Sequence, residues 1–160
     1  MQDGRSSEAM VALAQRLRDY KVAVRLMQRG WDEAPAGDYR LDNERSMADS
    51  IKEAARAYPD AVILIYSGDL HAQKTISPFD KNLPLAASLL PRGELISIDV
   101  VGQNGTAWNC FSSGCGIHPY IEEGSHARGI VMGAPREGFD ATAYTGLPTT
   151  ASLPAITPGK

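Results

Sequence analysis

The sequence predicts an α/β fold: a partial, mainly parallel sheet flanked by helices, with an antiparallel hairpin and a loop-rich C-terminal part. Three observations lead there. Helical and strand periodicities alternate up to residue 66. The run Ala61–Tyr66 is apolar without polar alternation, the pattern of a strand covered on both faces. Most of the ten prolines and fifteen glycines fall after residue 77, where regular elements give way to turns.

Taken in order, "SSEAMVALAQRLRDY" is a helix, with Met10, Leu13, Ala14 and Leu17 on one face and Ser6 or Ser7 as its cap. "VAVRLM", Val22 to Met27, is a short strand. "GWDEAPAGDYRLD" is a punctuated loop. Asp42 caps a second helix, "NERSMADSIKEAARAY", whose apolar stripe is Met47, Ile51, Ala54, Ala55 and Tyr58. Pro59-Asp60 stops it, and the buried strand Ala61–Tyr66 follows. "NLPLAASLL" is a short helix and "ELISIDVVG" a strand. "GQNG" is a turn, because Asn-Gly readily takes positive φ, so Glu94 to Cys110 forms a hairpin. Short strands are expected near Gly129–Met132 and Asp140–Tyr144, and "TTASLPAITPGK" is an extended tail with frayed last residues.

Composition bounds the function. The 160 residues suffice for a single domain, 1–160, with 43% hydrophobic and 22% charged residues. A net charge of −3 gives no electrostatic case for nucleic acid as partner. No apolar run approaches the ~20 residues of a membrane span, and "MQDGRSSEAM" lacks the pattern of a signal peptide.

Two stretches carry chemistry. The first is "SGDLHAQK", where the chain turns polar after the apolar run. There Gly68 permits a sharp turn, and Asp69 and His71 are catalytic candidates. His71 serves as a general base, a metal ligand or a haem ligand, since neutral imidazole does all three, or it bonds a loop carbonyl. It is expected to project from the end of a central strand into a concave pocket. Gln73 and Lys74 line that pocket or lie in solvent. Asp3 and Arg5 pair locally or point into the site. Trp31 and Trp108 are packing residues. The second stretch, "CFSSGCGIHPY", places Cys110 and Cys115 around a short loop, open to a disulfide, to free thiols, or to zinc with His118 and His126. A bridge favours an exported protein.

The stretch "MADSIKEAARAYPDAVILIYSGDLHAQK", Met47 to Lys74, resembles the erythromycin-esterase, ChaN-like and Tiki superfamily, in an uncharacterised bacterial branch. It has the Met47-Ala48 helix, the buried strand and the turn Gly68-Asp69-Leu70-His71. "PLAASLLPRGELISID", "GTAWNC" and "TASLPA" extend the resemblance over roughly residues 3 to 155. Relatives have an arginine–acid pair before the Met-Ala helix. Here those positions read Asn43-Glu44, with Arg45 displaced, so Glu44, Arg45, Gly68 and Lys74 are carried as ligand-binding candidates.

The resemblance implies a hydrolase-like pocket, esterase or metal-dependent, with His71 as base or metal ligand. It equally implies a haem- or small-ligand-binding module in which His71 is an axial ligand. The cofactor is then a divalent metal or haem, and the partner a small-molecule or peptide substrate. Superfamily members hold a second histidine turn in an N-terminal half. This chain is therefore expected to be the C-terminal half of a larger α/β domain, a fragment or minimal relative. Its pocket is then incomplete, and its sheet edge is exposed for a homodimer.

Overall fold

The computed structural model describes residues 7–27, 39–112, 114–122, 126–133 and 136–155. Its elements are α1 (Glu8–Asp19), α2 (Tyr39–Ala57), α3 (Asp69–Ala72), a 3₁₀ helix (Ala86–Leu89), and strands β1 (Ile98–Val101), β2 (Gly105–Phe111), β3 (Gly114–Tyr120), β4 (Gly129–Met132) and β5 (Ala141–Tyr144). The fold is α/β-like, with a small mixed sheet of order β1-β5-β4 and a separate hairpin of β2 with β3. β5 runs parallel to β1: the Ser97 carbonyl accepts from Asp140 N–H, and four residues on the Val101 carbonyl accepts from Thr145 N–H. Two compact units form, one from Met1–Arg25, Val101–Gly129 and Tyr144–Lys160, the other from Leu26–Val100 and Ile130–Ala143.

The first unit holds α1 and the hairpin. Ser7 is the N-cap of α1, its hydroxyl accepting from Met10 N–H, which satisfies one orphan donor of the first turn. Nothing in α1 is fully buried, although Met10, Ala14 and Leu17 of the expected stripe are half-buried. The helix ends at Tyr20-Lys21, where Lys21 takes a φ of 60°. Residues 22–25 continue exposed. The expected strand Val22–Met27 joins no ladder, because no strand edge lies alongside it among the described residues.

The expected hairpin of Glu94–Cys110 is replaced by one in which β2 pairs with β3, in the register Gly105↔Tyr120 through Phe111↔Gly114. Only two residues separate Phe111 from Gly114, and two-residue loops match strand twist best. Asn104 does take positive φ, at 46°, and Gly105 follows at 115°. That turn brings β2 against the tail rather than against β1. Thr149 N–H donates to the Asn104 carbonyl and Thr106 N–H to the Thr149 carbonyl. A Cβ on Gly105 would stand 2.2 Å from the Thr149 oxygen, so only glycine fits. The tail is extended and continues to α1, where Glu8 N–H donates to the Leu153 carbonyl.

The second unit holds the core. Met47 and Ala48 of α2 are buried, as are Leu83, Leu85, Ala86, Ala87 and Leu90 around the 3₁₀ helix. Both α2 and α3 pack on that helix. The stripe on α2 runs Glu44, Met47, Ala48 and Ile51 at i, i+3, i+4 and i+7. It therefore ends earlier than expected, and Ala55 and Tyr58 are exposed. α2 also starts three residues before Asp42, which lies in its first turn rather than at its cap.

The largest departure is Ala61–Tyr66. It is no strand. It joins no ladder, with Val62 98% and Leu64 92% exposed. Hydrophobicity marks a segment for burial, but a strand also needs a neighbouring edge. The three-stranded sheet is built without this run. Among the described residues no helix is long and apolar enough to cross a membrane.

Candidate functional site

His71 stands on α3, a single helical turn, and not at the end of a strand. Gly68 is the N-cap of that turn with φ −64° and ψ 154°, a conformation open to any residue. Its expected role in a sharp turn is therefore not required. A Cβ there would meet only the His71 ring, at 3.9 Å.

The ring is met by a carboxylate from α2. His71 Nδ1 lies 2.7 Å from Glu44 Oε1. Glu44 Oε2 in turn accepts from Ala86 N–H at 2.7 Å. The Glu44 side chain is 5% exposed and the His71 side chain 24%. A carboxylate accepts hydrogen bonds and does not donate them, so Nδ1 carries the proton; in the neutral ring Nε2 then keeps the lone pair. α2 can present Glu44 here because the residue is on the buried stripe with Met47 and Ala48. The 3₁₀ helix supplies the backbone donor at its first residue. The buried charge is thus held by two hydrogen bonds from two other elements, the condition for keeping it buried.

Asp69 does not meet the imidazole. Its Oδ1 accepts from Leu70 N–H at 2.8 Å and its Oδ2 pairs with Arg136 at 3.0 Å. Lys74 lies under the same turn, its ammonium 2.5 Å from Asp140 Oδ2 and donating to the Leu95 carbonyl. Gln73 is buried. Arg45, one position on from Glu44 and about 100° round the helix, is exposed. The structure therefore brings Glu44 and His71 together and sets Asp69 and Lys74 in a second layer of charges. It leaves Arg45 outside.

That second layer contains residues the sequence reading did not single out. Arg136 Nη1 donates to Asp99 Oδ2 at 3.1 Å, and Asp99 is 6% exposed. Partial burial alone would lower the Arg136 pKa. The Asp99 charge and hydrogen bond, with those of Asp69, outweigh that and hold it above the ordinary arginine value. Asp140 is held below the usual carboxylate range by the hydrogen bond from Lys74 and by Ser97 N–H. Ser97 also donates its hydroxyl to the Ala72 carbonyl, closing the end of α3. A signal for two of these residues was available. Ser97 and Asp99 alternate with apolar residues in "ISIDVV", and polar residues two apart on a strand share a face. Arg136 and Asp140 sit in a loop with no periodicity to read.

The cysteine stretch belongs to the first unit. Cys110 and Cys115 face each other in the β2–β3 register and are joined in a disulfide, Cα–Cα 3.9 Å. Both sulfurs are therefore committed, and the zinc reading fails on their chemistry. It fails on geometry too. His118 is three residues from Cys115 on one strand, so the two point to opposite faces. Its ring packs edge-on against Phe111, and His126 stacks on Tyr144. Trp108 is half-buried on β2. Asp3, Arg5, Ser6 and Trp31 lie outside the described residues.

Among the described residues no three His, Cys, Asp or Glu side chains converge as metal ligands. No family model, no curated protein and no solved structure matches this chain.

Proposed function

We propose that the chain carries a hydrolase-like site in which His71 activates water and Glu44 orients the ring. The observation that carries the reading is the 2.7 Å contact of buried Glu44 with His71 Nδ1. It leaves Nε2 as the base. Nε2 takes a proton from water, the water oxygen adds to the acyl carbon of an ester or peptide, and the proton passes to the leaving group. Such a positioned base supplies about 10²–10⁴-fold in rate. The superfamily resemblance supports the same residues, since Glu44 occupies the acidic position before Met47-Ala48.

A metal-dependent variant fits poorly. Catalytic zinc takes three protein ligands, and His71 offers one nitrogen beside a carboxylate already spent on the ring and on Ala86 N–H. A second reading rests on the same pair. An imidazole whose Nδ1–H is held by a carboxylate is a strong donor through Nε2, which suits axial ligation of haem.

In this proposal the site belongs to the C-terminal half of a larger, mainly parallel α/β sheet. Ala61–Tyr66 is the bare apolar run through which two copies pair, and the Cys110–Cys115 disulfide fits an exported chain.

Turnover of p-nitrophenyl acetate and of a casein-derived peptide tests the hydrolase, with His71→Ala expected at the buffer rate and Glu44→Gln reduced at least tenfold. A wild-type chain at the buffer rate, or full activity in His71→Ala, overturns it. A Soret band on adding haemin, lost in His71→Ala, would decide for the second reading.

A further inference from the structure

α3 is a single turn, and one turn of helix is unstable by itself. Its N-cap, Gly68, makes no side-chain capping bond. His71 nonetheless meets Glu44 at hydrogen-bonding distance, so something outside the helix holds the turn. The segment 136–140, between β4 and β5, touches it repeatedly. Arg136 pairs with Asp69 at the first residue of α3. The Gly138 carbonyl accepts from Lys74 N–H at 2.8 Å. Gly138 takes a φ of 91°, and a Cβ on it would stand 3.0 Å from Gln73 Cβ, so the segment lies flat on the turn. Asp140 pairs with Lys74.

We propose that Arg136 is a positioning residue for His71, tying the start of α3 to β1 by bridging Asp69 and Asp99. The inference rests on the reading of His71 as the acting imidazole of the site. Asp99 is the fixed end of the bridge. It is 6% exposed, and its carboxylate would be an uncompensated buried charge without Arg136. Asp69 is half-exposed and is the end that moves with the helix. Phe139 lies under the guanidinium, 5.7 Å from ring centroid to Cζ, and limits its swing. The residue type follows from the geometry. A planar guanidinium presents two nitrogens in a fixed fork, Nη1 to one carboxylate and Nη2 to the other. Lysine keeps the charge Asp99 needs but has no fork to span both. Lys74 cannot substitute, because its ammonium is held by Asp140 and the Leu95 carbonyl at the other end of the turn.

The bridge therefore separates two roles that one substitution can pull apart. Arg136→Lys keeps Asp99 neutralised and releases Asp69. Asp69→Asn leaves the Arg136–Asp99 pair intact and leaves one oxygen to serve either Leu70 N–H or Arg136. The readout is the tautomer of His71 in long-range ¹H–¹⁵N spectra of the full chain. The wild type is expected to show the Nδ1–H tautomer alone, with its proton slowed in exchange by Glu44. In both variants that single signature is expected to be lost to a mixture of tautomers, and the double variant should go no further than either single one, since both cut one link. An unchanged Nδ1–H tautomer in Asp69→Asn and Arg136→Lys overturns the proposal. Should Arg136→Lys fail to fold, Asp69→Ala, which removes both oxygens at a half-exposed side chain, decides in its place. The measurement is independent of turnover: a wild-type chain that hydrolyses nothing removes the proposed function and leaves the imidazole to answer this question.

Discussion

Two neighbouring stretches of the second unit, 61–66 and 69–74, have opposite fates. The first is six apolar residues with no ladder and with Val62 and Leu64 almost wholly in solvent. The second is mostly polar, yet nearly every group in it is tied. Asp69 goes to Arg136, His71 to Glu44, the Ala72 carbonyl to Ser97, and Lys74 to Asp140, Leu95 and Gly138. The difference is one of partners. Apolar surface gains roughly 25 cal/mol for each Å² covered, and gains it only if another surface arrives. The polar turn has three elements around it whose donors and acceptors need satisfying.

The comparison is most sharply tested at Glu44. Glu44→Ala removes the acceptor of both His71 and the buried Ala86 N–H. An orphaned buried donor costs about 1–3 kcal/mol, and urea unfolding should show a loss of that size. A loss near zero would mean that the turn is not held from α2. Asp140 gives a smaller effect with a defined sign. Its folded pKa lies below the unfolded carboxylate value of about 3.9. The Lys74–Asp140 link therefore contributes its full stability above that value and loses it as pH falls through the lower folded one. Asp140→Asn should flatten the acid limb of a melting-temperature profile below roughly pH 4 and leave its shape near neutrality unchanged. Least of all should follow from Leu64→Ser. At dilutions where the chain is monomeric, a solvated side chain changes stability by under about 0.5 kcal/mol. At high concentration the same substitution should lower the sedimenting mass if the bare run pairs two copies. A large loss of monomer stability would show that the run is covered in solution.

The legibility of the two stretches differed in the same way. The amphipathic stripe of α2 could be read in part, from Met47 and Ile51, because helical contacts lie three and four residues apart, while Glu44 and Ala48 on the same face were not placed in it. The strands expected near Gly129–Met132 and Asp140–Tyr144 are present as β4 and β5. Ala61–Tyr66 was misread because composition reports what a segment prefers and not whether an edge is present to receive it. At the site, Glu44 and His71 were each visible as candidates, but Asp69 was the nearer acid in sequence. The choice of Glu44 depends on how α2 packs on the 3₁₀ helix, 42 residues from Glu44 to Ala86. Arg136 reaches Asp69 across 67 residues, and no local pattern encodes that meeting.

The Cys110–Cys115 bond joins residues that are already opposite each other and encloses only four others. So short a loop removes less disorder from the unfolded chain than a long one would. Its consequence lies in register memory. A slip of one residue between β2 and β3 would turn every side chain of one strand to the other face, parting Phe111 from His118 and Trp108 from Ile117. With the sulfurs joined, that slip is opposed in the folded hairpin. An oxidised chain that has been fully denatured still keeps this one pair of the register joined by a covalent bond.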